Sequence, residues 1–277
     1  DHPRYRGPRF GYPLTAYVMS FLGNPILVPW ILILLNVLAL VALMWVWDRI
    51  MDSCDADSRW KWLPLALSGL WMALGRDLAE LFEALFVLLA FRALMRERSF
   101  AFLGWSIAAI LFRETSILLL LPSVLLWLVG NREKAGWGTR LLGVGVPVFT
   151  VVILKLAMGI HYADYPSVDG SQNVGLPFVG IASGFRANLP VGGLKELAEF
   201  LLWMGYFGFA VLLTVMVVRT LSFKNIILAS QTHWMGYTYL LWGVFALCLG
   251  PAIYVDDWGF VRIFTAWQLI GFLHLVH

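Results

Sequence analysis

The chain has 277 residues, of which 60% are hydrophobic and 13% are charged, and its mean hydropathy is +0.78. Soluble domains carry about 25% charged residues, so this composition excludes an ordinary soluble domain. The net charge of +3 is small and spread along the chain, which argues against a nucleic-acid-binding protein. The apolar residues occur in long blocks separated by short polar clusters, which is the pattern of an all-α, polytopic transmembrane helical bundle.

The N-terminal segment 1–25 holds no run long enough to span a membrane. Its stretch 12–22 is amphipathic, follows the arginine-rich start of the chain and ends at a Gly-Asn-Pro turn. Such a stretch is typical of a helix that lies along the membrane surface, so we predict an interfacial helix here. The sequence begins at Asp1 and stops inside an apolar run, so we expect the natural protein to extend beyond both ends.

Further along, the hydropathy pattern predicts about nine membrane spans in a single integral membrane domain, 1–277. We place them at 26–47, 62–74, 78–95, 100–112, 116–129, 141–158, 197–218, 236–254 and from 263 onward. The spans at 62–74 and 100–112 are short: at 1.5 Å per residue they reach only about 20 Å, against about 30 Å of hydrocarbon. The domain divides into the segment 1–25, a first bundle 26–158, a polar loop 159–196 and C-terminal spans 197–277.

Orientation follows from the distribution of lysine and arginine in the short loops. The loops 48–61, 92–98, 131–140 and 219–232 hold eleven basic residues, whereas the short loops on the other side hold three. We therefore predict that the first group is cytoplasmic. The segment 1–25 and the long loop 159–196 then lie on the outer, periplasmic side.

Two polar turns interrupt the apolar blocks on this outer side. The first polar turn is 75–83 and the second polar turn is 113–116. Their ionisable residues are Arg76, Asp77, Glu80, Glu83, Arg113 and Glu114. Charges at membrane depth are costly and are mostly kept where they face a cavity, a partner or a substrate. Because both turns follow short spans, we expect them at a similar depth, lining one polar pocket.

Carboxylates beside arginines suit two roles, and both stay open on the sequence. In one role the acids perform general acid/base chemistry or hold a divalent metal ion, while Arg76 and Arg113 hold a phosphate. In the other role the charges neutralise each other and cap helices. Asp77 followed three residues later by Glu80 has the pattern of a capping box, which favours the second role.

Other polar residues are weaker candidates. Asp256-Asp257 offers two carboxylates to a metal ion, although adjacent acids in an interfacial loop are more often solvated. Arg262 heads the last span, where it meets a lipid phosphate or extends to the interface. Arg9 meets anionic headgroups or a lipid-linked donor, and Lys155, inside a span, is expected to extend outward.

The sequence holds no P-loop, GxGxxG, GxSxG, HExxH or CxxCH pattern, which disfavours a nucleotide-driven pump or a hydrolase.

Several short motifs, taken in order, resemble a known family. Segment 4–16 resembles "YRyqRilYPLLA", a span with Asn36 follows, 75–80 resembles "GRDlTEp", and 113–115 resembles "tREt". A late turn with Asp257, Gly259 and Arg262 is similar to "D-x-G-[FY]-x-R". These motifs belong to bacterial polytopic proteins of cell-surface glycopolymer formation, which have a glycosyltransferase-C-like (GT-C) architecture. The likeness covers residues 1–130 well, and beyond them it extends only to the order of the spans and the late turn.

The resemblance implies a glycosyltransferase of the bacterial inner membrane that takes a sugar from a polyprenyl-phosphate carrier on the outer face. Its candidate catalytic residues are Asp77, Glu80 and Glu114. Its candidate substrate-binding residues are Arg76, Arg113, Arg9 and Arg262. GT-C enzymes generally use an acid of the first outer loop as base or metal ligand, and that position falls before Asp1. The implied partners are membrane lipids and the lipid-linked donor, and the candidate cofactor is a divalent metal ion.

Two alternatives to the transferase stay open. The first is a non-catalytic accessory subunit of a larger membrane assembly, which would contact other membrane subunits. The second is a transporter of lipid-linked or small anionic substrates. An inverted repeat of interrupted helices would favour a transporter, but both polar turns fall in the first half of the chain.

Overall fold

The computed structural model describes residues 11–75, 79–130, 137–161, 163, 174–190, 193–221, 226–255, 261 and 263–277. The helices in these ranges are α1 Gly11–Met19, α2 Val28–Ser53, α3 Ser68–Gly75, α4 Glu80–Met95, α5 Ser99–Phe112, α6 Ile117–Gly130, α7 Trp137–His161, α8 Val179–Ala187, α9 Leu194–Thr220, α10 Ile226–Leu247, α11 Pro251–Tyr254 and α12 Thr265–Val276. Two 3-10 helices, Ser58–Ala66 and Glu114–Ser116, precede α3 and α6. No β-strand occurs in the described ranges, so the predicted all-α class is confirmed there.

Among the described residues, three helices are long and apolar enough to cross a membrane: Val28–Ser53, Leu141–His161 and Leu194–Thr220. Shorter apolar helices accompany them at Ser99–Phe112, Glu114–Gly130 and Thr265–Val276. The long helices expose large apolar side chains, as Val41, Leu156 and Leu212 show. These apolar helices suggest a membrane protein, and three of them reach spanning length in the described ranges, so the predicted nine spans are not confirmed.

Two predicted spans are broken in the structure, and each contains a proline. The segment 62–74 is not one helix, because the 3-10 helix ends at Ala66 and Leu67 is extended before α3 begins. Pro64 has no N–H to donate, and its ring disfavours a continuous α-helix. The segment 236–254 is interrupted in the same way: α10 ends at Leu247, Gly250 is extended, and α11 begins at Pro251.

Helix α4 is the centre of the bundle. It packs against α2, α3, α5, α6 and α12, and Leu81, Ala84 and Phe91 on it are fully buried. Apart from its end residues α4 is apolar on every side, which is typical of a helix surrounded by other helices. The N-terminal end of α4 therefore lies inside the protein, where an ionisable side chain needs a partner.

Helix α1 forms at the place where an interfacial helix was predicted. Tyr12 is buried and its hydroxyl donates to the carbonyl of Leu32 on α2 over 3.1 Å. The side-chain amide of Asn36 donates to the same hydroxyl over 2.9 Å. On the opposite side, Tyr17 and Val18 are exposed. One face of α1 is thus fixed to α2, and the other presents an apolar surface.

The predicted long loop 159–196 contains helix α8, which packs onto the break between α10 and α11. The backbone N–H of Gly175 donates to the carbonyl of Cys248 over 2.8 Å. Gly180 allows this approach, because a Cβ there would stand 2.1 Å from the carbonyl oxygen of Leu249. Gly175 and helix α8 therefore cover the end of the bundle where α10 stops.

A buried cluster of carboxylates around Arg113

The second polar turn directs Arg113 towards the start of α4. Helix α5 ends at Phe112, and Arg113 has an extended backbone before the chain turns through a 3-10 helix into α6. The guanidinium of Arg113 has one nitrogen, Nη1, 2.9 Å from Glu83 Oε2 and 3.2 Å from Glu80 Oε1. All three side chains are buried, so the two polar turns meet inside the protein.

Ser116 is the second side chain within hydrogen-bond distance of the Glu83 carboxylate. Its hydroxyl lies 3.1 Å from Glu83 Oε1 and donates there or to the carbonyl of Ala109 at 3.3 Å. Oε2 of Glu83 is therefore bonded to Arg113, and Oε1 of Glu83 lies within hydrogen-bond distance of Ser116, the nearer of its two acceptors. A carboxylate held on both oxygens has a fixed orientation, which suits a positioning role better than proton transfer.

Glu114 lies on the other side of Arg113. Its carboxylate is buried, and its Oε1 atom is 3.7 Å from the amino group of Lys155 on α7. The side chain of Lys155 is half exposed, and its amino group approaches Glu114 in the second polar turn.

We call Glu80, Glu83, Arg113, Glu114 and Ser116 the carboxylate cluster. Together with Lys155 it holds three carboxylates and two cations, so the fully ionised group has a net charge of −1. Arginine stays protonated in proteins, so Arg113 supplies a permanent positive charge at the centre. Its Nε atom is buried and has no hydrogen-bond partner in the described part of the chain. The cluster is thus rich in acid and built around one cation.

A cavity of about 180 Å³ opens beside the carboxylate cluster. Its polar wall consists of Glu83, Arg113, Glu114 and Thr115. Apolar side chains form the rest of its lining: Leu118, Leu119, Val174, Trp242, Phe245, Leu249, Ile253 and Ile263. A mostly apolar cavity with a few convergent polar groups is the usual form of a small-molecule site.

The structure brings together three of the predicted site residues: Glu80, Arg113 and Glu114. Four others, Arg9, Arg76, Asp77 and Arg262, lie outside the described residues, as do Asp256 and Asp257. Helix α4 begins at Glu80, and Asp77, on which the predicted capping box depends, lies outside the described residues. Glu80 turns towards Arg113, whose buried positive charge attracts it.

Glu83 was not among the predicted catalytic or binding residues, although it makes the shortest ion pair with Arg113. The spacing between Glu80 and Glu83 in the sequence could have identified it. Residues three apart on a helix share one face, so Glu80 and Glu83 must point the same way on α4. Ser116 was also missed, because a serine next to an ionisable turn carries no distinctive pattern.

The described residues contain no group of three or more His, Cys, Asp or Glu side chains that is placed to hold a metal ion. Comparison with known proteins adds no assignment for this cluster. No protein-family model, curated protein or solved structure matches the chain.

Proposed function

We propose that the protein is a membrane glycosyltransferase that uses a polyprenyl-phosphate-linked sugar donor on the outer face of the bacterial inner membrane, for cell-surface glycan formation. The observation that carries the proposal is the cavity lined by Glu83, Arg113 and Glu114 at one end of a bundle of apolar helices. A lipid-linked donor keeps its tail in the bilayer, so its reacting end needs a polar site recessed among such helices. The resemblance of the two polar turns to GT-C motifs supports the same function.

Transfer of the sugar requires a general base, here a carboxylate, next to the acceptor hydroxyl. The acceptor oxygen forms a bond to the anomeric carbon while the bond from that carbon to the carrier phosphate breaks. The hydroxyl proton passes to the base, and the bonding electrons leave with the phosphate. We assign the base to Glu114, because it lines the cavity, whereas Glu83 is held on both oxygens.

Arg113 serves in this proposal as a positioning residue. Its guanidinium nitrogen is already bonded to Glu80 and Glu83, so its charge is balanced before any substrate enters. Binding of the carrier phosphate then depends mainly on other cations, for which Arg76, Arg262 and Arg9 stay the proposed residues. Membrane lipids and the lipid-linked donor are the proposed partners, with the loop 159–196 on the periplasmic side.

Complementation tests the proposal. Cells that lack the native gene receive the wild-type gene, Glu114→Gln, or the control Glu196→Gln, which changes an exposed acid in the first turn of α9. A positioned general base contributes about 10²–10⁴-fold to a rate, so surface glycan made with Glu114→Gln should fall by at least roughly 100-fold. The control should make normal glycan. Normal glycan with Glu114→Gln, at equal protein level, contradicts the assignment.

A non-catalytic accessory subunit is the second candidate. The observation that favours it is the environment of Arg113. Its side chain is 4% exposed and already pairs with two carboxylates, as in a structural ion pair. In that case the carboxylate cluster joins α4 to α5 and does no chemistry. Glycan formation would then follow the amount of folded protein in every variant, and the protein would co-purify with other membrane subunits.

A further inference from the structure

Four arginines gather at the end of α4 that is opposite the carboxylate cluster. We call them the arginine cluster: Arg49, Arg92, Arg96 and Arg98. Arg92 and Arg96 stand four residues apart at the C-terminal end of α4, so they share one helix face. Arg98 directly precedes α5, and Arg49 lies near the end of α2, which packs against α4. The other three arginines all lie within electrostatic range of Arg92.

The arginine cluster lacks counter-ions in the part of the chain that the structure describes. None of its side chains forms an ion pair or a hydrogen bond there, and the guanidinium of Arg49 lies over the ring of Trp45 at 5.7 Å. Arg92 Nε is buried without a hydrogen-bond partner. Nearby basic residues behave differently: Arg59 pairs with Asp57 at 2.7 Å. Four permanent like charges therefore stand together without a direct ion-pair partner among the described residues, although Glu97 lies between Arg96 and Arg98 in the sequence.

The length of α4 supports a position of the arginine cluster at headgroup level. The 16 residues of α4 span about 24 Å, close to the roughly 30 Å of membrane hydrocarbon. The arginine cluster therefore lies near one membrane surface, if the carboxylate cluster lies near the other.

We propose that the arginine cluster binds a phosphate-bearing anion, either the headgroup of an anionic lipid or a soluble phosphate compound. Guanidinium groups present several donors in a planar fork, which matches phosphate oxygens. A bound phosphate supplies the missing counter-charge and an acceptor for Arg92. Neither the glycosyltransferase proposal nor its alternative is needed for this site.

Native mass spectrometry of the purified chain tests the lipid source. The protein is reconstituted into nanodiscs of phosphatidylcholine with phosphatidylglycerol, and the lipids retained on release are counted. A basic side chain near an anionic surface contributes about fivefold in affinity, so Arg96→Gln with Arg98→Gln should lower retention of phosphatidylglycerol by roughly 20-fold. Both side chains are exposed, so this double variant should fold. The matched control is Arg59→Gln, an exposed arginine that already has a partner, and it should retain lipid normally.

Nanodiscs of phosphatidylcholine alone, with inorganic phosphate or pyrophosphate added, test the soluble source. Binding of either anion that is lost in Arg96→Gln with Arg98→Gln supports a soluble ligand. Preferential retention of phosphatidylglycerol with the same dependence supports a lipid. The proposal is overturned if neither anion nor lipid binding differs between the double variant and Arg59→Gln. A single Arg92→Gln variant, checked for folding by circular dichroism, should weaken the same binding.

Discussion

Arg113 and Glu83 are 30 residues apart in the sequence, yet Arg113 Nη1 lies 2.9 Å from Glu83 Oε2 in a buried position. This pair joins the end of α5 to the first turn of α4. It also fixes one wall of the cavity in which Glu114 stands. The stability of the bundle and the geometry of the proposed site therefore depend on the same contact.

The first prediction concerns this ion pair. Removing one partner of a buried pair leaves uncompensated charge and costs about 3–5 kcal/mol. Arg113→Gln leaves Glu80 and Glu83 close together without their cation, so its thermal unfolding midpoint in detergent should fall sharply. Adding Glu83→Gln removes one of the two repelling charges and should restore part of the loss.

The exposed pair Arg59–Asp57 provides the control for this prediction. Arg59→Gln should leave the midpoint unchanged, because an exposed ion pair contributes little. If the double variant Arg113→Gln, Glu83→Gln is as unstable as the sum of its single variants, the two residues are not coupled and the first prediction fails.

The second prediction concerns the packing of α8 over the α10–α11 break. Gly180→Ala would place a Cβ 2.1 Å from the carbonyl oxygen of Leu249, and the backbone there must move. Overpacking of this kind costs about 1–3 kcal/mol. Gly145→Ala is a matched change in helix α7, where nothing lies within 4 Å of the added Cβ. Thermal unfolding should therefore show a loss for Gly180→Ala and none for Gly145→Ala, and equal midpoints would contradict the described packing.

The third prediction concerns Asp57, whose side chain caps the N-terminus of the 3-10 helix Ser58–Ala66, and the pH dependence of this cap. The side chain of Arg59 donates to Asp57, and so does the Arg59 backbone N–H over 2.9 Å; together they lower the pKa of Asp57 from its usual 3.8 to about 2. Because the folded pKa is depressed, the cap contributes stability above pH 3.8 and loses it as the pH falls towards 2. Carbon-13 NMR of labelled aspartate, assigned with Asp57→Asn, measures this pKa. Arg59→Gln should return it towards 3.8, and a midpoint near 3.8 in the wild type would show that the cap is absent.

The fourth prediction concerns orientation. Cys54 follows α2 in a loop that we propose to be cytoplasmic, and it is partly exposed. Partial burial raises the pKa of the Cys54 thiol, so labelling should be done at alkaline pH. In Cys248→Ser, a membrane-impermeant maleimide should label Cys54 only after the cells are permeabilised. Labelling of intact cells would reverse the proposed orientation.

The sequence predicted the meeting of the two polar turns because each turn follows a short apolar run. It predicted helices α5, α7 and α9 to within four residues at each end, since long apolar blocks have clear ends, whereas α2 continues six residues past its predicted end at 47. It did not predict the breaks at Leu67 and Gly250, because both interrupt an otherwise continuous apolar pattern. At Gly250 the next residue is Pro251, which disfavours a helical conformation in the residue before it.

The approach of α8 to the end of α10 could not be predicted from the residues. Gly180 fits against Leu249 only because their backbones are adjacent in space, and glycines in a polar loop are common for other reasons. The roles of the individual acids could not be predicted from the sequence either. Glu83 and Glu114 differ in their partners, which depend on how three helices pack rather than on local sequence.

Transfer kinetics of the purified protein test the central proposal most directly. With a polyprenyl-phosphate-linked sugar as donor, the wild type should transfer sugar, and Glu114→Gln should bind the donor equally well but transfer it at least roughly 100-fold more slowly. This separation of binding from turnover is the result that a catalytic base requires. Equal transfer rates for the wild type and Glu114→Gln would contradict the account.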